Sequence, residues 1–154
     1  MKLTLLFLML PFLAFSAPSA DNSSEVSIKP KNFKFGTRVE TVSNFLNNKK
    51  TKLSNEVTSH NVKVSTINTG AAKLDDAVVI SEKGVVKTLA LVFNKANGEK
   101  FREDMIKQYG MPQAEMVDSF EWKSENIMFE IHETEAGFTA TYQNADTEPL
   151  LAQF

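Results

Sequence analysis

Hydrophobic and polar positions change rhythm several times along this chain, and each change marks an element. The first segment is almost continuously apolar, from Leu3 to Leu13. A polar stretch, Asp21 to Lys31, follows, and then Phe33-Lys34-Phe35 runs into Gly36. Thr37 is placed to cap a helix from Arg38 to about Asn47, within which Val39, Val42, Phe45 and Leu46 form one apolar stripe. Asn47 to Asn55 is polar throughout and reads as a connection. Alternation then takes over: Val62, Val64 and Thr66 point one way and Lys63 and Ser65 the other, as in a half-buried strand. Ala77 to Ser81 is a second strand, joined by a tight hairpin at Glu82-Lys83-Gly84 to a third. That third strand, Val85 to Phe93, is apolar on both faces, with Leu89, Leu91 and Phe93 on one and Val86, Ala90 and Val92 on the other. It belongs in the middle of a sheet.

Asn97-Gly98 introduces a second helix, Glu99 to Tyr109, in which Phe101, Met105 and Tyr109 recur every fourth residue with Ile106 beside them. Lys100, Arg102, Glu103, Asp104 and Lys107 face water, Gly110 supplies a left-handed cap, and Pro112 prevents continuation. Three more strands carry Phe120 and Trp122, then Ile127, Phe129 and Ile131, then Phe138, Ala140 and Tyr142. Lys123 to Asn126 and Thr134 to Gly137 connect them. The pattern predicts an α+β fold, with two amphipathic helices packed on antiparallel β-sheet. Each half opens with a phenylalanine-containing strand, a glycine-bearing turn and an amphipathic helix, which suggests a duplicated α-β-β-β unit. Residue identity between the halves is slight and leaves that point open.

The opening segment is a signal peptide in plan: Lys2, an apolar core, then small residues at Ala14, Ser16 and Ala17. The apolar run falls short of the roughly 20 residues a membrane span needs. Cleavage before Ala17 fits better than cleavage after Ala20, where Pro18 would occupy a position that wants a small residue. The expected organisation is signal peptide 1-16, flexible leader 17-31, a single α+β domain 32-144 and a loose tail 145-154. Asn22-Ser23-Ser24 matches a glycosylation acceptor, a weak signal on its own. Phe154 ends the chain as a terminal phenylalanine ends many outer-membrane barrel strands, but the residues before it do not alternate and Pro149 argues against a strand.

Composition sharpens this picture. The chain has 154 residues and no cysteine. An exported domain without disulfides must be held by packing alone. The absent cysteine also removes the lipid-attachment point of a bacterial lipoprotein, so no membrane anchor is expected. The bacterial periplasm is the expected location, with the extracellular medium as the alternative. Losing Lys2 with the leader takes the formal charge from −2 to −3. That small value hides an asymmetry. Lys29, Lys31, Lys34, Arg38, Lys49, Lys50 and Lys52 face one acid, Glu40, whereas the region from Gln113 onward is acidic with Lys123 its one base. Either the two regions attract each other across the fold or merely solvate their surfaces, or the acidic one steers a basic partner. Nucleic acid is not expected as that partner, because the overall sign is wrong and the basic stretch lacks interleaved aromatics.

The run Phe35-Gly36-Thr37-Arg38-Val39-Glu40-Thr41-Val42 resembles the glycine turn and helix start of small bacterial envelope proteins. These are the outer-membrane assembly lipoproteins of the SmpA/OmlA type and the related β-lactamase-inhibitor-protein fold. Tyr109-Gly110-Met111-Pro112, followed by an acidic stretch and Trp122, is similar to a run in uncharacterised exported bacterial proteins. The chain departs from these groups in lacking both a lipid-bearing cysteine and disulfides. The resemblance implies a binding function on a sheet surface, without catalysis.

Candidate chemistry is sparse. No cysteine nucleophile exists, and no Gly-x-Ser-x-Gly turn presents a serine. The histidines are His60 and His132. Glu130, His132 and Thr134 share a strand face, and His60 could complete a zinc site with them if the fold brought it there. The abundant carboxylates show no spacing that points to a glycosidase pair. No cofactor is implied, and no enzymatic activity is expected. Trp122 and Tyr142 are in phase with Phe120 and Phe138, which suits a core, although phase alone does not separate a core face from an open one. The expected function is non-enzymatic binding of another protein, of inhibitor, immunity or envelope-accessory type. Its partner-binding surface would comprise Glu121, Lys123, Glu130, His132 and Thr134. The alternatives are a small envelope hydrolase or metal-binding protein using His132 and nearby carboxylates, or a carrier of an apolar ligand lined by Phe45, Phe101, Met105 and Trp122.

Overall fold

The computed structural model describes residues 35–123 and 127–144. The expected signal peptide, leader, glycosylation acceptor, Lys123–Asn126 connection and C-terminal tail fall wholly or partly outside those residues. The described chain forms one antiparallel sheet of eight strands. They are β1 (Leu46–Lys52), β2 (Val57–Val62), β3 (Asp76–Glu82), β4 (Val85–Asn94), β5 (Ala114–Glu115), β6 (Ser119–Lys123), β7 (Ile127–Thr134) and β8 (Gly137–Asn144). A 3-10 helix, Val39–Phe45, precedes β1, and one α-helix, α1 (Lys95–Tyr109), joins β4 to β5. The α+β expectation holds. The spatial order is β1-β2-β3-β4-β8-β7-β6-β5. Each half therefore folds as a helix followed by a four-strand meander, and the two meanders meet at β4 and β8.

That count is four strands per half where the sequence pattern indicated three. The two extra strands are the sheet edges. β1 is polar along nearly its whole length because its residues 47–52 are all exposed, so no alternation marks it. β5 has two residues and follows directly on Pro112 and Gln113.

The first helix is shorter and tighter than expected. β-Branched Val39, Thr41 and Val42 weaken its α-propensity, and pairing claims the chain from Leu46, which lies opposite Val62. Thr37 is not its cap. Arg38 occupies that position without a capping side chain, and Thr41 Oγ1 instead donates to the Arg38 carbonyl at 2.7 Å. The strand expected across Val62 to Thr66 ends at Val62, and Val64–Thr66 turns as a 3-10 helix.

The β3–β4 hairpin has the expected connection. Lys83 (φ 50°) and Gly84 (φ 75°) both take positive φ, the signature of a type I′ turn. Just beyond it a bulge at Lys87 shifts the register, so that Ser81 faces Val86 while Ile80 faces Thr88. The extra residue moves Val86 onto the face of Leu89 and Leu91, where it is fully buried. Strict alternation had put it on the other face.

Helix α1 begins at Lys95, four residues earlier than expected, because Asn94 Oδ1 accepts from the Asn97 backbone N–H at 3.1 Å. It lies on one face of the sheet. Phe101 stacks on Phe93 at 4.6 Å and meets Phe129 edge-on at 6.2 Å. Phe129 in turn lies 5.4 Å from Trp122 and 4.3 Å from Tyr142, between ring centroids. Trp122 and Tyr142 are both buried. Trp122 Nε1 donates to the Gly110 carbonyl at 3.0 Å, which ties the end of α1 to β6. Val42 and Val62 extend the same core under the 3-10 helix. Arg102 does not simply face water, since its guanidinium lies 5.0 Å from the centre of the Phe120 ring.

Candidate functional site

The register of β6, β7 and β8 decides which polar side chains come together. Paired residues in a sheet project to the same side. Phe120, Trp122, Phe129, Ile131, Ala140 and Tyr142 take the helix-bearing face. The intervening residues take the opposite face. There Glu121 stands opposite Glu130, and Glu130 opposite Thr141. One step along, Ser119, His132 and Thr139 form a parallel row. Lys123 is opposite Met128 on the other side of the glutamates.

The structure thus brings Glu121, Glu130 and His132 into one patch. Lys123 sits at its margin, where Gln113 clamps its backbone by accepting from its N–H at 3.2 Å and donating to its carbonyl at 3.0 Å. Thr134 lies at the far end of β7, opposite Gly137, and its hydroxyl donates to the Gly137 carbonyl at 3.2 Å. That hydroxyl closes a hairpin and is already committed. Two like charges directly opposite each other cost sheet stability, and among the described residues neither Glu121 nor Glu130 is in an ion pair.

The histidines do not meet. His60 pairs with Val79 and so faces the helix side, while His132 is on the opposite side, separated from it by β3, β4 and β8. No zinc site can use both. Among the described residues no three His, Cys, Asp or Glu side chains gather as a metal cluster. Nor is any described helix long and apolar enough to cross a membrane.

His60 has a partner that sequence spacing did not show: its Nε2 lies 2.9 Å from Ser81 Oγ. Burial holds the imidazole below its ordinary pKa, Lys50 adds to that effect, and Glu40 opposes it. The trio Ser81, His60 and Glu40 has the residue types of a nucleophile relay. Its access is wrong for one. Ser81 is buried, at 2% exposure, and its hydroxyl donates to the Thr58 carbonyl at 3.4 Å. The pair is a structural clasp between β2 and β3.

The residues suggested as lining a ligand cavity are core components. Phe101, Met105 and Trp122 are buried among the aromatic contacts described above, and Phe45 packs against the same cluster.

What sequence reasoning missed is the β5–β6 hairpin. Met116 N–H donates to the Ser119 carbonyl at 2.9 Å, Gln113 N–H to the Glu121 carbonyl at 2.8 Å, and Glu133 N–H to the Asp118 carbonyl at 2.7 Å. This scaffold holds an apolar tip in water: Met116 is 67% and Val117 103% exposed, with Met111 at 69% nearby. Glu115 and Asp118 flank the tip, and both are exposed. Apolar residues between Pro112 and Ser119, without strand-like alternation, were the available signal. Comparison of the chain with family models, with curated proteins and with solved structures finds no match.

Proposed function

We propose that this chain is an exported, non-enzymatic protein that binds another protein through the acidic half of its sheet. The β5–β6 hairpin tip would form the centre of contact, with the patch of Glu121, Glu130 and His132 beside it. The observation that carries this reading is the tip itself. Met116 and Val117 are held out in water by backbone hydrogen bonds at the hairpin base, inside a rim of Glu115 and Asp118. Binding surfaces characteristically pair an apolar centre with a polar rim, and a pre-ordered loop loses little entropy on docking. The rim's sign favours a basic partner. The signal-peptide plan of the first segment supports a periplasmic encounter, where an inhibitor, immunity or accessory role would be exercised.

Affinity capture from a periplasmic extract tests the reading, using the chain from Ala17 onward beside its Met116→Asp/Val117→Asp counterpart. A partner held at low salt, released at high salt and lost from the altered chain is the expected result. With the partner in hand, the double change should weaken binding by about 30-fold, the effect of a ~2 kcal/mol hot spot. Equal retention by both chains would remove the tip from the interface. Retention of nothing by either would remove the reading.

A further inference from the structure

Among the described residues the two outer edges of the sheet have no strand partner and carry opposite charge, and we infer that they are docking surfaces for each other, so that a second copy of this chain adds its β5 edge to the β1 edge of the first.

Among the described residues the basic and acidic regions do not neutralise one another. β1, with Lys49, Lys50 and Lys52, is one end of the strand order, and the β5–β6 hairpin, with Glu115, Asp118 and Glu121, is the other. Seven strand spacings of ~4.8 Å put them about 34 Å apart, well beyond a Debye length of ~8 Å at physiological salt. Among the described residues no ion pair joins the two regions. Residues 47–52 and 113–118 are exposed throughout.

Charge restricts how such edges can pair. Lysine on an edge strand discourages β1 from meeting another β1, and the acidic hairpin repels its own kind in the same way. A β1 edge against a β5 edge is the one combination that attracts. Strand direction agrees with it. Eight strands alternate in direction across the sheet, so β1 and β5 run antiparallel. A second copy displaced along the sheet would therefore place its β5 antiparallel to β1, the orientation of every pair already present. Faces agree as well. Glu115 pairs with Phe120, and Lys50 pairs with His60, which puts both on the helix-bearing side. A continued sheet would set these opposite charges on one surface. The contact is head-to-tail, so it propagates into chains unless the rotation between copies closes a ring. This inference rests on the edges alone and stands whether or not a foreign partner uses the hairpin.

Sedimentation velocity over a concentration series tests it, at about 0.01 M and about 1 M salt, between which the Debye length falls from ~30 Å to ~3 Å. The chain from Ala17 onward should form species larger than the monomer at low salt and dissociate at high salt. Two charge-reversed chains, K49E/K50E/K52E and E115K/D118K, should each sediment as monomers while keeping the native circular dichroism spectrum. Mixed in equal amounts they should assemble again, because each then presents the edge the other needs. Monomer at every concentration in low salt would overturn the inference. So would a reversed chain that assembles alone as the unaltered one does, or a mixture that stays monomeric.

Discussion

At the scale of single residues, two buried hydroxyls weigh on the stability of the fold. Tyr142 Oη and Thr88 Oγ1 are buried, and among the described residues neither has a hydrogen-bond partner. Burial pushes the Tyr142 phenol well above its ordinary pKa, helped by nearby Tyr109, so it stays neutral at any physiological pH. A buried hydroxyl that forfeits its bonds to water costs about 1–3 kcal/mol. Tyr142→Phe should therefore leave the fold intact and raise its unfolding free energy by about 1 kcal/mol, read from a urea midpoint, and Thr88→Val should act in the same direction. A loss of stability in both would mean that each hydroxyl is satisfied after all. His60 gives the residue scale a pH dependence. Its pKa is lowered in the fold, so the folded chain binds fewer protons than the unfolded chain as the imidazole titrates. The associated stability is fully present above the unfolded value of about 6.5 and is lost as pH falls from there through the lowered folded value. Over that window the unaltered chain should lose more stability than His60→Gln. Parallel curves for the two would assign the acid sensitivity to other groups.

At the scale of elements, α1 is fitted to the sheet through a glycine that helix propensity alone would not choose. Glycine inside a helix costs about 1 kcal/mol relative to alanine. Gly98 is buried, and a Cβ there would run into the Phe138 side chain on β8. Gly98→Ala should therefore destabilise despite its better propensity, by about 1–3 kcal/mol, the usual cost of overpacking. Gly98→Ala combined with Phe138→Leu should recover part of that loss, since the two sites share one contact. Additive losses would place the strain elsewhere. The helices also show where local pattern has authority. α1 carries strong i, i+4 periodicity and a cap, and it appears where the pattern put it apart from its first turn. The Val39–Phe45 segment carries an equally clear apolar stripe but contains β-branched residues, and pairing at Leu46 cut it to a 3-10 helix.

At the scale of the whole molecule, two meanders distant in sequence are joined by the β4–β8 seam, in which Leu91 faces Ala140. A seam of such long range makes the halves one cooperative unit and slows folding. Leu91→Ala, at a fully buried position in that seam, should cost about 2–5 kcal/mol while fluorescence of Trp122 and far-ultraviolet dichroism still report a single shared transition. Two separated transitions would mean that the meanders unfold independently.

Much of this architecture was legible in the chain before any coordinates. The α+β class, the central place of β4, the β3–β4 turn and the body of α1 follow from local rhythm, because periodicity and turn chemistry are properties of neighbouring residues, whereas phase put Trp122 beside Phe120 without deciding that this face is the core. The sharing of one strand face by Glu130, His132 and Thr134 follows from local rhythm too. Local rhythm could not find β1, whose exposed polar side chains carry no alternation, or β5, which is two residues long. It could not place Val86, because one bulged residue reverses a strand's faces and the bulge arises from pairing with β3. Strand order was also out of reach, since hydrogen bonds between strands are made regardless of side-chain type. Order alone sets Glu121 opposite Glu130, separates His60 from His132, joins His60 to Ser81, and sends the lysines of β1 and the acids of the β5–β6 hairpin to opposite edges. By itself the sequence determined which residues are apolar, which turn and which are charged. Only the tertiary structure decided which of them meet, because meeting depends on contacts between residues far apart in the chain.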